Sequence, residues 1–272
     1  MHIQRGAWAE INLDAIAHNV QMAKANLKPT TKLCAVVKAD AYGHGAVRVA
    51  QEAARNGADF FAVALLQEGV KLREAGIETP ILVLGSMLPE VAEICVRYDI
   101  SHAVFDEERL YALNAAALKL HTKAKIHIKI DTGMHRIGVH VRDAGRFAKL
   151  AASLPGIYIE GVFSHFATAD ADDKQYAAYQ FERFQEALRL IEAEGVHIPI
   201  RHIANSAALT ELQEYQLDMV RQGITLYGLH PAHMIDCYKD FEPVMTVKTQ
   251  VAFVKTLPPG ETIGYGRTYT LT

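Results

Sequence analysis

Short apolar runs rich in β-branched residues alternate with longer helical patterns along most of this 272-residue chain. Such alternation is typical of βα units, in which a helix follows each strand of a parallel sheet. The predicted strands are 9–13, 33–38, 60–65, 81–84, 102–105, 126–130, 161–164, 201–204 and 224–227. About eight such units with right-handed connections close most economically into an α/β barrel of the (β/α)8 TIM type, whose usual length is about 250 residues. An open, doubly wound sheet is the competing topology.

Two of the intervening helices are well defined in the sequence. The helix at 14–27 carries an apolar stripe that includes Ile16, Val20 and Leu27, and a second helix is predicted at 173–194. Asp14 and Asp173 suit the N-cap positions of these helices. The apolar stripe of the first helix is expected to face the core.

The pattern changes after Gly228, where His230-Pro231 interrupts the alternation of strands and helices. Segments 244–249, 252–255 and 265–271 are predicted strands, with a turn at 258–260. We therefore expect a barrel domain at 1–231 and the beginning of an incomplete β-rich C-terminal domain at 232–272, on which about the first ten residues pack. So short a β-region cannot bury a core alone, so it would lean on the barrel, on a partner subunit or on further sequence.

Composition excludes several classes of protein. The 28 Lys and Arg residues nearly balance the 31 Asp and Glu residues, so no basic surface is expected to bind nucleic acid. No run is apolar for the roughly 18 residues that a membrane helix needs, and the start lacks the apolar stretch of a signal peptide. Cys34, Cys95 and Cys237 form no C-x-x-C pair, and the histidines show no compact ligand spacing. We expect a cytoplasmic protein without a metal site.

The strongest chemical signal lies at 36–45, where Lys38 ends an apolar strand and Tyr42, Gly43 and His44 follow in a turn that opens a helix. Barrel enzymes carry their catalytic groups at such strand ends. Burial lowers the pKa of a lysine, and the neutral amine can then attack an aldehyde. The alternative is a lysine that extends its ammonium group into solvent at the strand end.

The segment 36–45, Val-Val-Lys-Ala-Asp-Ala-Tyr-Gly-His-Gly, resembles the pyridoxal-phosphate attachment signature of alanine racemases. Further segments resemble that family in the same order, at 129–138, 164–170, 204–208, 220–224 and 264–269. The resemblance covers essentially the whole chain, although the family continues beyond it at the C-terminal end. It implies a pyridoxal-phosphate enzyme that interconverts L- and D-alanine, supplies D-alanine for peptidoglycan and forms a head-to-tail homodimer with shared active sites.

By this resemblance Lys38 holds the cofactor and is one of two catalytic bases, and Tyr265 from the partner subunit is the other. A racemase removes the α-proton from one face of the substrate and returns a proton to the opposite face, so it needs two acid/base groups. Arg136 is implied as the cation beside Tyr265, and Arg221 as the residue facing the pyridine nitrogen. The alternatives are a cross-strand aromatic residue for Tyr265 and a surface ion pair for Arg221.

The resemblance also implies a larger set of supporting residues. Those implied in cofactor binding are Lys38, Tyr42, His165, Ser206, Arg221, Gly223 and Ile224. Those implied in substrate binding or support are Arg136, Lys129, Asn205 and His202, with Lys129 a candidate for carbamylation. Some of these residues could instead have a purely structural role, such as a helix cap at 205–206 and a turn at Gly223.

Three other functions stay open at this point. One is a racemase of broad specificity or one that acts on serine. Another is a protein that binds pyridoxal phosphate and regulates its supply without turnover, although it would not need a second base such as Tyr265. The third is a barrel decarboxylase, which would favour an acidic partner for the pyridine nitrogen in place of Arg221.

Overall fold

The computed structural model describes residues 6–231 and 238–272. These residues belong to two compact units, one formed by Asn12–Val244 and the other by Met1–Ile11 with Met245–Thr272. The start of the predicted β-rich region, at 232–237 with Cys237, lies outside the described residues. No helix in the described ranges is long and apolar enough to cross a membrane.

The secondary structure alternates between strands and helices up to residue 222. In chain order the strands are β1 (Ala7–Ile11), β2 (Lys32–Val36), β3 (Phe60–Val63), β4 (Ile81–Val83), β5 (Ser101–Val104), β6 (Ala124–Asp131), β7 (Val139–His140), β8 (Ile157–Phe163), β9 (Ile200–His202), β10 (Met219–Gln222), β11 (Met245–Thr249), β12 (Thr262–Ile263) and β13 (Tyr269–Thr270). The helices are α1 (Leu13–Ala25), α2 (Lys38–Tyr42), α3 (Ala46–Arg55), α4 (Leu66–Glu74), α5 (Ala92–Arg97), α6 (Glu107–Lys119), α7 (Ala144–Ser153), α8 (Gln175–Ala193) and α9 (Ser206–Glu211).

Eight parallel strands form a barrel in the larger unit, in the order β10-β2-β3-β4-β5-β6-β8-β9. Backbone hydrogen bonds close the ring between β9 and β10, from Asp218 N to Arg201 O at 3.0 Å and from Arg221 N to Ala204 O at 3.1 Å. The short strand β7 pairs with the end of β6 outside this ring. The prediction of a (β/α)8 barrel is therefore confirmed, and the open sheet is excluded.

An apolar cluster packs within the barrel, and polar groups lie toward the carboxyl ends of its strands. The cluster draws on five strands and comprises Cys34, Val36, Phe60, Ala62, Leu82, Ile200 and Met219. Lys38 follows β2, and Arg221 lies near the end of β10. Because all strands run in one direction, the residues that end them meet at the same face of the barrel.

Two of the predicted strands are not strands of the barrel. The last barrel strand is β10, and the segment Ile224–Tyr227 that we predicted as a strand is a short 3₁₀ helix. A short apolar run does not reveal its conformation by periodicity alone. The predicted strand at 9–13 corresponds to β1, which pairs antiparallel with β11 in the smaller unit. With these two removed, seven predicted strands belong to the barrel, and its eighth strand, β10, was not predicted.

The helix caps also differ from the prediction. The N-cap of α1 is Asn12, whose side-chain oxygen accepts hydrogen bonds from Asp14 N at 3.0 Å and Ala15 N at 3.3 Å. The residue before α8 is Lys174, while Asp173 accepts a hydrogen bond from Gln175 N at 2.8 Å one position earlier. Asparagine and aspartate cap equally well, so composition alone did not separate adjacent positions.

The smaller unit contains β1 paired with β11 and a separate two-stranded pair, β12 with β13. Within the described range 238–272, residues 252–255 form no strand, contrary to prediction, and only Tyr269–Thr270 of the predicted strand 265–271 is extended into β13. Val251, Phe253 and Val254 are largely exposed. Alternating apolar residues become a strand only when a neighbouring strand accepts their backbone hydrogen bonds.

Candidate active site

A cavity of about 280 Å³ opens at the carboxyl ends of the barrel strands. Its lining includes the predicted site residues Lys38, Tyr42, His165, Asn205, Ser206, Arg221, Gly223 and Ile224. Larger clefts of about 530 and 490 Å³ lie elsewhere, one around the C-terminal end of α8 and one beside α4 and α5. The smaller cavity is the candidate site because a lysine, a buried arginine and two hydroxyl groups converge on it.

Lys38 lies directly after β2 and is half-buried. Burial lowers the pKa of its amine, the charge of Arg136 lowers it further, and Glu68 opposes the shift. The Lys38 Nζ atom is 5.7 Å from the centroid of the Tyr42 ring. A lowered pKa increases the fraction of neutral amine at neutral pH, which is the nucleophilic form.

The turn that follows Lys38 is left-handed. Ala39, Asp40 and Ala41 have φ values of 51°, 52° and 55°, although none of them is glycine. This conformation costs about 1–2 kcal/mol per residue for L-amino acids, so surrounding contacts must hold it. Glu68 Oε1 accepts a hydrogen bond from Ala39 N at 2.5 Å, and Asp40 Oδ1 accepts one from Ala46 N at 3.0 Å.

The left-handed turn sets the position of the Tyr42 ring. That ring packs on Tyr227 with 5.0 Å between centroids, and the Tyr227 hydroxyl donates a hydrogen bond to Val36 O at 2.8 Å. The Tyr42 hydroxyl has no hydrogen-bond partner in the described part of the chain, yet it borders the cavity. It is therefore available to bind a ligand.

A second hydroxyl group lies opposite Gly223. Ser206 Oγ accepts a hydrogen bond from Gly223 N at 2.8 Å, which leaves the Ser206 proton free to be donated. A Cβ atom at Gly223 would lie 3.5 Å from the Tyr42 hydroxyl and 3.6 Å from Ser206 Oγ. Two hydroxyl donors thus flank the backbone at Gly223 on the cavity wall, as suits an anion. Asn205 caps α9 by accepting a hydrogen bond from Ala208 N at 3.1 Å.

Arg221 is buried, with 3% of its surface exposed. Its Nη1 donates to His202 Nδ1 at 2.7 Å, and its Nη2 donates to Ser164 O at 2.8 Å and to His165 Nδ1 at 3.0 Å. Burial lowers the pKa of Arg221 to about 10, so it still carries a charge at neutral pH. The alternative of a surface ion pair is wrong, because Arg221 is buried and its guanidinium donates to backbone oxygens and histidine rings.

Lys129, His165 and Arg136 interact electrostatically with Lys38 or Arg221. Lys129 is only 4% exposed, and burial together with the charge of Arg221 lowers its pKa to about 7. Lys129 Nζ donates a hydrogen bond to Ile130 O at 3.0 Å. Burial and Arg221 also hold the pKa of His165 well below its ordinary value. Arg136 is exposed, and its charge acts on all three of Lys38, Lys129 and His165.

Tyr265 belongs to the smaller unit, where its side chain is fully exposed. It follows Gly264 in a short 3₁₀ turn, Tyr265–Arg267. Its pairing with Arg136 and its role beside Lys38 stay predictions.

Several residues that shape this site were not singled out from the sequence. They are Glu68, His127, Glu160 and Tyr227. No capping-box signature marks Glu68 in the sequence, because Leu65, three residues before it, has no side-chain oxygen. His127 and Lys129 alternate with isoleucines in β6, and this period of two indicates that both face the same side of the sheet. Tyr227 was hidden by the wrong prediction of a strand.

The comparisons with known proteins agree with this geometry. The family model described as "Alanine racemase, N-terminal domain" matches residues 11–231. The alanine racemase of Desulfovibrio desulfuricans is 46% identical over 265 residues, covering 97% of this chain and 71% of the relative. The structure of the alanine racemase of Clostridium difficile superposes with a TM-score of 0.92 and 38% identity, covering 100% of this chain and 71% of that one.

A further similar structure contains a bound ligand. It is the alanine racemase of Bacillus anthracis with bound L-Ala-P, with a TM-score of 0.91, 36% identity and coverage of 100% of this chain and 71% of that chain. Agreement in sequence over nearly the full chain and in fold over the whole of it leaves one assignment. The chain belongs to the alanine racemase family.

Proposed function

We propose that this chain is a pyridoxal-phosphate-dependent racemase that interconverts L- and D-alanine. The observation that carries the proposal is the cavity on which the Lys38 amine, the Arg221 cation and the Tyr42 and Ser206 hydroxyls converge. Membership of the alanine racemase family supports the reaction and the substrate.

The residues around the cavity fit pyridoxal phosphate. Lys38 supplies an amine of lowered pKa for its aldehyde. The Tyr42 and Ser206 hydroxyls and the backbone N–H of Ile224 supply donors for its phosphate, and Gly223 leaves room for it beside them. Arg221 supplies a fixed cation for its pyridine nitrogen, and His165 would pack against the ring. Asn205 and His202 support this set from neighbouring positions.

When bound, pyridoxal phosphate delocalises the electron pair that stays on the α-carbon after the α-proton leaves. Lys38 Nζ takes or returns that proton on one face of the substrate. The Tyr265 hydroxyl of a partner subunit does the same on the opposite face, and Arg136 lowers the cost of its anionic form. Two bases on opposite faces allow the configuration to invert.

Arg221 determines how strongly the pyridine ring withdraws electrons. A guanidinium group stays protonated, so it donates a hydrogen bond and does not transfer a full proton to the ring nitrogen. The ring is then a weaker electron sink than one facing a carboxylic acid. This favours return of the proton over decarboxylation or transamination.

Lys129 is the proposed site of carbamylation. A pKa of about 7 leaves a large share of its amine neutral at neutral pH. The neutral nitrogen would bond to the carbon of CO₂ and release one proton, which leaves a carbamate with two oxygens. Those oxygens would pair with Arg136 and orient it.

The proposal includes a homodimer. Tyr265 is fully exposed within its own unit, and the apolar side chains at 251–254 are exposed as well. A head-to-tail dimer would bring Tyr265 of one subunit to Lys38 of the other, so that isolated subunits would be nearly inactive. The D-alanine formed would serve peptidoglycan synthesis.

Removing either hydroxyl of the phosphate site is expected to weaken cofactor binding. Ser206→Ala and Tyr42→Phe should each raise the Kd for pyridoxal phosphate by about tenfold, because each loses a hydrogen bond to a charged group. Fluorescence titration with pyridoxal phosphate measures the Kd. Ser153→Ala, at an exposed hydroxyl that donates to Leu150 O, is the matched control. An unchanged Kd in both site variants would contradict this role.

The proposed reaction is tested by incubating the chain with pyridoxal phosphate and L-alanine in heavy water. NMR follows deuterium at the α-carbon, and chiral chromatography follows the enantiomers. Deuterated D-alanine is the expected product of a two-base racemase. Deuterated L-alanine without D-alanine would indicate one working base, and bound cofactor without exchange would indicate a binding protein. L-serine in place of L-alanine tests for a broader substrate range.

A further inference from the structure

Behind Arg221 a chain of buried polar side chains crosses the barrel interior. His202 Nε2 lies 2.9 Å from His127 Nδ1, and His127 Nε2 lies 3.0 Å from Glu160 Oε2. The Ser101 hydroxyl donates to the same Glu160 oxygen at 2.5 Å. Both imidazoles are fully buried, and the side chain of Glu160 is 13% exposed. These residues do not line the cavity, and the proposed mechanism does not use His127 or Glu160.

The hydrogen bonds that link these side chains permit only one arrangement of protons. Arg221 Nη1 can only donate a hydrogen bond, so His202 Nδ1 must be unprotonated and the His202 proton must be on Nε2. His127 Nδ1 must then accept that proton's hydrogen bond, which puts the His127 proton on Nε2. The His127 proton points to Glu160 Oε2, which must be an acceptor. Two neutral imidazoles thus connect a guanidinium cation to a carboxylate anion.

The electrostatics agree with a neutral His202 and an ionised Glu160. Burial and the charge of Arg221 hold the pKa of His202 well below its ordinary value, so this ring is neutral at pH 7. Burial acts to raise the pKa of Glu160, but its interactions with His127, the hydrogen bond from Ser101 and the charge of Lys125 together outweigh that effect. The pKa of Glu160 is therefore lowered, and this residue is ionised at pH 7.

The sheet is built to accommodate these side chains. Ile126 pairs with Ile159 and His127 pairs with Gly161, so Glu160 is the extra residue of a β-bulge between β6 and β8. A bulge changes the direction of its side chain, and here it brings the carboxylate to His127. A Cβ atom at Gly161 would lie 2.4 Å from His127 Nδ1, so only glycine leaves room for the ring.

We propose that Glu160 and His127 are positioning residues that fix the donor pattern of Arg221 by ordering the protons of the two histidines. Glu160 accepts a hydrogen bond from His127, and His127 accepts one from His202. The unprotonated Nδ1 of His202 then accepts one from the guanidinium. Without the acceptor at position 160 the buried His127 Nε2–H would have no partner, so the two proton orders would come closer in energy and His202 Nδ1–H would face Arg221 Nη1–H in part of the molecules. Two donors cannot share a hydrogen bond, so the guanidinium would lose its anchor.

The consequence for catalysis rests on the proposed function. An anchored Arg221 would keep a constant orientation toward the pyridine nitrogen of the cofactor. A displaced Arg221 would slow the racemisation step while leaving the sites that bind alanine unchanged. The positions of the protons on the two imidazole rings are set by residues of this protein, so they can be measured without cofactor.

The test compares two near-isosteric substitutions by ¹⁵N NMR of the histidine rings in the full chain without cofactor. In the parent chain we expect both His127 and His202 to carry their proton on Nε2. Glu160→Gln retains an oxygen acceptor for His127, so the pattern should persist. Glu160→Met has no acceptor, so a measurable share of His202 rings should carry the proton on Nδ1, and the ring nitrogens of both histidines should shift from the parent values.

Activity of the cofactor-loaded chain gives the second readout. The kcat of Glu160→Met should fall about tenfold with little change in KM for alanine, whereas Glu160→Gln should retain kcat within about threefold. Glu242→Met is the matched control, since its exposed carboxylate lies 4.0 Å from the exposed His18. It should change neither the rings of His127 and His202 nor kcat.

Two results would overturn the inference. One is a parent chain with a proton on His202 Nδ1 or with a doubly protonated His127. The other is a Glu160→Met variant that is folded and has the same ring spectra as the parent. If the parent chain proves to have no racemase activity, the proposed function fails, but the ring spectra still decide the order of the protons.

Discussion

Replacing Lys38 with alanine is expected to abolish racemisation, with a loss of at least about a thousandfold in turnover. The substitution removes both the amine that holds pyridoxal phosphate and the base on one face of the substrate. The visible absorbance of the lysine-bound cofactor should disappear at the same time. Absorbance spectroscopy of the variant with added cofactor, and chiral chromatography of its products, measure the two effects.

The control for this change lies on the strand that precedes Lys38. Lys32 begins β2 and is exposed, so Lys32→Ala should leave both the absorbance and the turnover unchanged. A Lys38→Ala variant that keeps its cofactor absorbance would show that another amine binds the aldehyde. Lys129 would then be the first candidate, because burial lowers its pKa to about 7.

The barrel could be predicted because its signal is periodic and repeated. Short β-branched runs and amphipathic helices alternate many times, so an error in one element does not change the fold. The error at Ile224–Tyr227 is instructive, since that apolar run packs as a 3₁₀ helix just after the last strand. Burial alone makes a run apolar, and only hydrogen bonding to a neighbouring strand makes it extended.

The site could be predicted where its residues lie in contiguous segments. Lys38 and Tyr42 belong to one such segment and Arg221 to another, and all three line the same cavity. The left-handed turn between Lys38 and Tyr42 had no sequence signal, because alanine and aspartate rarely adopt positive φ values without outside contacts. Glu68, which provides one of those contacts, lies on a different βα unit.

The series of hydrogen-bonded side chains behind Arg221 could not be predicted from the sequence, for a different reason. Glu160, His127 and His202 come from three strands, and their contacts depend on a bulge that shifts the register by one residue. A sequence pattern read strand by strand cannot reveal such a shift, because one residue reverses the side to which each side chain points. Gly161 is its only local trace, as a glycine within a strand often marks a bulge.

Replacing Tyr265 with phenylalanine is expected to separate cofactor binding from inversion. Phenylalanine keeps the ring and removes only the hydroxyl, so the absorbance of the lysine-bound cofactor should persist. Racemisation should fall by about a hundredfold to ten-thousandfold, which is the usual contribution of a general acid or base. Exchange of the α-proton in heavy water should continue for the alanine enantiomer served by Lys38 and stop for the other.

The exchange measurement distinguishes a missing base from a damaged site, because a damaged site would slow exchange of both enantiomers equally. Tyr269→Phe is the matched control, since Tyr269 is exposed in the same unit and has no proposed role. Racemisation retained in Tyr265→Phe would remove this tyrosine from the mechanism. The second proton would then have to come from water or from another group facing the cavity, such as His165, whose lowered pKa leaves a neutral ring there.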